Sequence, residues 1–180
     1  LGQEFDRVLE LLDLYGYADT SGWTLTDDGE MLAGIFHETD LLVAEMLRGG
    51  VLDGLGAADL AAVVSCVVYE HRSPEPPAAP WFSSKQVRQR WQLLEALSED
   101  LRAAERSVGL GEHRPPDPTF AAVAHGWVAG VGFADIVDDE DLTGGDFVST
   151  MKQLIDLLRQ VASVAPDAEV RRSAGEAVDR

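Results

Sequence analysis

Apolar residues recur at helical spacing along most of the chain. Phe5, Val8, Leu9, Leu11, Leu12 and Tyr15 share one broad face, which predicts a helix over residues 4–15 stopped by Gly16. The stretch from Tyr17 to Leu25 alternates around Ser21-Gly22 and reads as a small hairpin. Thr26-Asp27-Asp28-Gly29-Glu30 then supplies an N-cap and first-turn acids for a helix bearing Met31, Leu32, Ile35 and Phe36. Asp40 opens another helix that Gly49-Gly50 ends. Residues 57–70 are apolar nearly all round, so that helix is expected at the centre of the fold.

The second half begins with a break. Ser73 to Pro80 is too rich in proline for helix or central strand, and forms a stiff extended connection. It divides the chain into subregions 1–73 and 81–180, joined by residues 74–80, either as a linker or as a surface loop of one domain. Beyond it, Val87, Trp91, Leu94, Leu97, Leu101 and Ala104 recur at spacings of three and four, a narrow seam over residues 83–107. Phe120 to Val131 reads as a short helix and Asp135 to Asp141 as an acidic loop. The helix after Gly145 holds Phe147, Val148, Met151, Leu154, Ile155, Leu158 and Val161, and Pro166 ends it. A polar helix runs from Asp167 onward. The fold class expected is all-α: a multi-helix antiparallel bundle with one small β-hairpin near the N-terminus.

Composition narrows the function. The 180 residues carry a net charge of −18, whereas a free-standing nucleic-acid binder is normally basic. Residues 1–84 hold 15 acids and 3 bases, and residues 85–180 hold 17 acids and 11 bases. Any contact with nucleic acid must therefore be local and assisted by a more basic body. Only Cys66 is available as a thiol, so no intramolecular disulfide forms, and a reducing, cytoplasmic setting is expected. Cys66 lies in an apolar run and reads as core. No segment reaches the roughly 20 apolar residues of a membrane-spanning helix, and no signal peptide is visible. Without an initial Met, the chain reads as a fragment. Asn is absent and Lys numbers two against twelve Arg, a usage expected of a GC-rich bacterial genome.

Catalytic motifs are sparse. There is no phosphate-binding loop of the Gly-x-x-x-x-Gly-Lys-Ser/Thr kind, so the chain is no P-loop ATPase unaided. His37, His71, His113 and His125 are scattered, and a metal site is not expected. Asp135 to Asp141 lacks the order of a calcium loop. No Ser/His/Asp set can be assembled from chain order, and no catalytic residue is assigned. Two features can meet phosphate: the basic patch Lys85, Arg88 and Arg90, and the polar face Ser149, Lys152, Gln153, Asp156, Arg159 and Gln160. From 146 to 164 that second helix is on the order of 28 Å long, enough to lie along a strand. By themselves both also fit plain solvated helix faces.

Three segments taken together resemble the C-terminal (DSHCT) domain of Ski-like superfamily 2 DEAD/DExH-box RNA helicases, with the bacterial HelY-like group nearest. The first runs from Leu14-Tyr15-Gly16-Tyr17 through Leu25-Thr26-Asp27-Asp28-Gly29-Glu30-Met31-Leu32-Ala33 to Asp40-Leu41-Leu42 and Glu45. The second is Leu60-Ala61-Ala62-Val63-Val64-Ser65 with Tyr69-Glu70-His71-Arg72. The third is Trp127 followed by Gly144 to Gln160. The resemblance implies an accessory domain of a longer ATP-dependent helicase, packed on two RecA-like motor domains that bind ATP and Mg and hydrolyse the nucleotide. The domain itself would hold no cofactor. It further implies that the helix from Asp146 to Val164 borders a single-stranded RNA channel. Ser149, Lys152, Gln153, Asp156 and Arg159 then become candidate RNA contacts, with Lys85, Arg88 and Arg90 as a secondary basic patch. Ser149 stands where the family usually has Arg, and His71 where it often has Pro. The chain also stops before the family's usual final segment.

Other readings stay open at this point. One is an acidic helical module that docks a protein partner through Trp91 or Trp127, with no direct nucleic-acid role. Another is a winged-helix regulator on residues 4–36, which lacks basic residues on Met31 to Phe36.

Overall fold

In the computed structural model, residues 1–138 and 143–180 are described. The described residues form nine α-helices, one 3-10 turn and one two-stranded hairpin, the all-α class expected. The fold is built around α4 (Ala57–Val68), in which every residue from Leu60 to Val68 is buried. A helix apolar on all sides needs neighbours on all sides. They are α5 (Lys85–Ser107), α6 (Ala121–Ala129), α8 (Gly144–Val164) and α9 (Ala168–Val178), each packed against α4. The 3-10 turn Pro118–Phe120 seats Phe120 in the same core, stacked at 5.4 Å on Tyr69. Cys66 is buried there, and burial pushes its thiol far above the ordinary value.

The N-terminal elements form a smaller layer. Strands β1 (Ala18–Asp19) and β2 (Thr24–Leu25) pair antiparallel, Ala18 opposite Leu25. Asp19 Oδ1 closes the turn by accepting hydrogen bonds from the Ser21 and Gly22 amides. Helix α2 (Asp27–Ala33) lies hard against this hairpin: a Cβ at Gly29 would meet the Tyr17 carbonyl oxygen at 1.9 Å. Helix α3 (Asp40–Arg48) then bridges α2 to α5.

Side-chain caps mark where four of the helices begin. Thr26, Ser84, Thr143 and Asp167 each accept a hydrogen bond from a backbone amide of the first turn of α2, α5, α8 and α9. Residues 74–80 are exposed throughout. Just beyond them the chain is tied back to the core: the Ser83 hydroxyl donates to Asp59 at 2.6 Å, and Trp81 packs edge-on against His125. No helix among the described residues is long and apolar enough to cross a membrane.

Three expectations need correction. In α1 (Gly2–Leu14) Leu11 is buried and Leu12 and Tyr15 pack against the core, but Phe5 is 56% and Val8 38% exposed, so the N-terminal half of its apolar face has no cover. The helix expected to carry Ile35 and Phe36 ends at Ala33; Ile35 is buried beyond it and Phe36 is 79% exposed. Part of the acidic stretch is helical: Phe133–Asp138 form α7. Gly130, at φ +89°, stops α6, and the next turn is anchored by buried Ile136 and by Phe133 packed 4.9 Å from Phe147. The remainder of that stretch, Asp139 to Asp141, lies outside the described residues.

Candidate nucleic-acid interface

Helix α8 divides lengthwise into two faces. Phe147, Met151, Leu154, Leu157, Leu158 and Val161 are buried against the core. Ser149, Lys152, Gln153, Asp156 and Arg159 are all exposed, and helical periodicity puts them together on the outer face. At 21 residues the helix is about 31 Å long. Arg159 Nη1 lies 3.6 Å from Asp156 Oδ1, with both side chains more than half exposed. Such a pair contributes little and leaves the guanidinium open to a ligand. Among the described residues Lys152 has no ion-pair partner.

A groove of about 190 Å³ runs beside the N-terminal half of this face. Asp146, Ser149, Thr150 and Gln153 line one side, and residues 68–73 with Arg114 line the other. Arg114 is engaged by the fold. Its Nη2 donates to the Val67 and Val68 carbonyls that end α4, its Nη1 pairs with Glu70 at 3.0 Å, and Nη2 lies 3.2 Å from Glu38. Hydrogen bonds from Arg114 and Arg72 hold the Glu70 carboxyl below its usual range. The side chain of Arg72 remains 83% exposed, so it is the accessible cation facing Ser149 and Gln153. Residues 72 and 149 are far apart in sequence, and nothing in the local pattern signals that they line one groove.

Toward the other end of α8, Gln160 serves the fold. Its Oε1 accepts a hydrogen bond from the Phe36 amide at 2.7 Å. Beside it a Cβ on Gly34 would come within 2.4 Å of Val164 Cγ1, so residues 34–36 lie tightly on the helix. The Phe36 ring nevertheless faces solvent.

The patch on α5 is less available than its sequence implies. Arg90 Nη1 donates to the carbonyls of Gly50 and Val51 at 3.0 and 2.7 Å. Arg88 lies 5.8 Å from the centre of the Phe82 ring, and Lys85 is exposed. None of the three lines the groove beside α8. Of the two tryptophans expected as partner anchors, Trp127 packs 5.7 Å from Phe147 and Trp91 is half-buried against the core.

One cluster has the connectivity of a hydrolytic triad and was not visible from chain order. Ser98 Oγ lies 2.8 Å from His113 Nε2, and His113 Nδ1 lies 2.9 Å from Glu105 Oε2. Ser98 is 2% exposed and Glu105 8%, so the serine cannot reach a substrate. The His113 amide also donates to Glu105 Oε2. The cluster fastens the chain after α5 back onto that helix.

Comparison with known proteins gives the geometry its context. The DSHCT (NUC185) domain pattern matches residues 22–180. The probable helicase HelY of Mycobacterium tuberculosis is 38% identical over 190 residues, covering 99% of this chain and 21% of HelY. HelY of Mycobacterium leprae shows 38% identity over 193 residues, with the same coverage. The human exosome RNA helicase MTR4 is 28% identical over 162 residues, covering 88% of this chain and 15% of MTR4. The chain thus spans about a fifth of the length of the HelY relatives. With the helical fold and a match across most of its length, the chain belongs to the DSHCT (NUC185) domain family, carried by helicases of the HelY and MTR4 kind.

Proposed function

We propose that this domain is the C-terminal accessory domain of an ATP-dependent RNA helicase. It packs on the RecA-like motor domains of the same longer chain and lines a single-stranded RNA channel with the outer face of α8. The observation that supports this best is the exposed Ser149, Lys152, Gln153, Asp156 and Arg159 face, flanked by the groove that presents Arg72. Lys152 and Arg159 suit phosphate oxygens. Ser149 and Gln153 offer neutral hydrogen-bonding groups to phosphate or a ribose 2′-hydroxyl. ATP and Mg belong to the motor domains. The charge of −18 fits a domain that shapes the channel but leaves electrostatic capture of RNA to more basic walls.

The test is Lys152→Ala and Arg159→Ala in the full-length protein. RNA-stimulated ATPase should fall more than basal ATPase. Each phosphate contact removed should flatten the dependence of log K on log salt by about 0.7 for a single strand. Equal loss of basal and stimulated activity would count against a channel role.

A second reading, an acidic module that docks a partner protein, draws support from the uncovered Phe5 and Val8 of α1. In the helicase reading this stripe is a seat for the motor domains. A full-length protein whose ATPase ignores RNA would favour the partner reading.

A further inference from the structure

The outer face of α8 ends beside an aromatic ring that the fold leaves unused. Ile35 is 3% exposed while Phe36, its neighbour, is 79% exposed. The backbone here is held firmly. The amides of Gly34 and Ile35 donate to the Met31 and Leu32 carbonyls, the Phe36 amide donates to Gln160 Oε1, and Gly34 touches Val164. The ring is therefore presented from a fixed point, with little ordering left to occur on binding.

Its position is set by Gln160. That residue lies four positions after Asp156 and seven after Gln153, on the same stripe of α8. Phe36 is thereby anchored about 10 Å further along the helix axis than Gln153. Ser149, Gln153 and Arg72 stand toward one end of this side of α8, and an exposed ring stands toward the other.

We propose that Phe36 is a base-stacking platform for single-stranded RNA, held against α8 by Gln160. The proposal rests on the reading of α8 as an RNA-lining face. Every base has a π-face, so stacking on an aromatic side chain tolerates any sequence. It also requires no positive charge, which lets a strongly acidic domain hold a strand that its net charge repels. The polar groups of α8 would track the backbone while the ring takes one base.

The test uses the full-length protein, a fluorescent oligo(A) RNA and an abasic strand of the same length, with Kd measured at several salt concentrations. Phe36→Ala should weaken oligo(A) binding by roughly tenfold without changing the salt slope. Phe36→Trp should restore binding, and the abasic strand should bind wild type and Phe36→Ala alike. The ring is exposed and its backbone hydrogen bond survives substitution, so the fold should tolerate both changes. Wild-type binding by Phe36→Ala, beside weakened binding by Lys152→Ala, would overturn the platform and leave the α8 reading standing. Silence of both variants would remove both. Equal weakening of oligo(A) and abasic strands would also overturn the platform, assigning the ring to a protein surface.

Discussion

Helices α5 and α8 look alike in sequence and differ in what their polar groups do. They have 23 and 21 residues, each with an apolar seam and cations beside it. On α5 five of those groups are engaged inside the domain, whereas Lys85 and Arg88 at its start stay exposed. Arg90 holds two loop carbonyls, Arg102 and Arg106 pair with Glu112, and Glu105 and Ser98 grip His113. On α8 Ser149, Lys152, Gln153, Asp156 and Arg159 are exposed, and among the described residues their ion pairing is an exposed Asp156–Arg159 contact. The difference teaches that a basic cluster is available to a ligand only where its hydrogen-bonding capacity is left open. Counting cations along the chain does not show that.

The largest effect should come from cutting through α8 from its inner side. Leu154→Ala should cost about 3 kcal/mol in denaturant unfolding, because Leu154 is fully buried. Lys152→Ala, two positions away on the outer face, should stay within about 0.5 kcal/mol. Next comes Arg90→Ala, at about 2 kcal/mol, since the Gly50 and Val51 carbonyls lose a charged donor. Arg159→Ala should be nearly silent by the same measurement. Equal effects of these two arginine changes would break the contrast between the helices.

Thr143→Ala should cost about 1 kcal/mol by removing the acceptor for the Asp146 amide. Faster hydrogen exchange confined to the first turn of α8 would confirm it.

The smallest effect is a pH dependence. Burial holds the His37 pKa below its ordinary 6.5, and hydrogen bonds hold the Glu70 pKa below 4.5. Both groups bind more protons unfolded than folded in those windows, so stability rises with pH through each. On acidification the contribution of His37 to the urea midpoint should therefore be lost below about pH 6.5 and that of Glu70 below about 4.5, while the burial-raised carboxyls of Asp40 and Glu45 act in the opposite direction. His37→Gln should flatten the upper part and Glu70→Gln the lower.

Much of the secondary structure was legible because each helix carries its own instructions. Thr26, Ser84 and Asp167 cap where they stand, and the apolar run of α4 requires a central place whatever surrounds it. The outer face of α8 was legible for the same reason, as the complement of a buried stripe. The facing wall was not. Arg72 reaches the groove through an irregular segment without periodicity, and Phe36 reaches α8 through a backbone hydrogen bond to Gln160. Gly34 after Ala33 was the available sign that Phe36 lies outside the helix. Helix α7 was missed because its acids masked the Phe133 and Ile136 pair that anchors it.

The order of apolar and capping residues by itself determined most of the helices, the central position of α4 and the division of α8 into an inner and an outer face. Those properties depend on spacings of three and four residues within one segment. Tertiary structure alone decided which polar groups stay available: Arg90 and Gln160 bond to distant backbone groups, whereas Arg72, Lys152 and Arg159 remain exposed. A hydrogen bond closed between segments far apart in the chain leaves no periodic trace in either one.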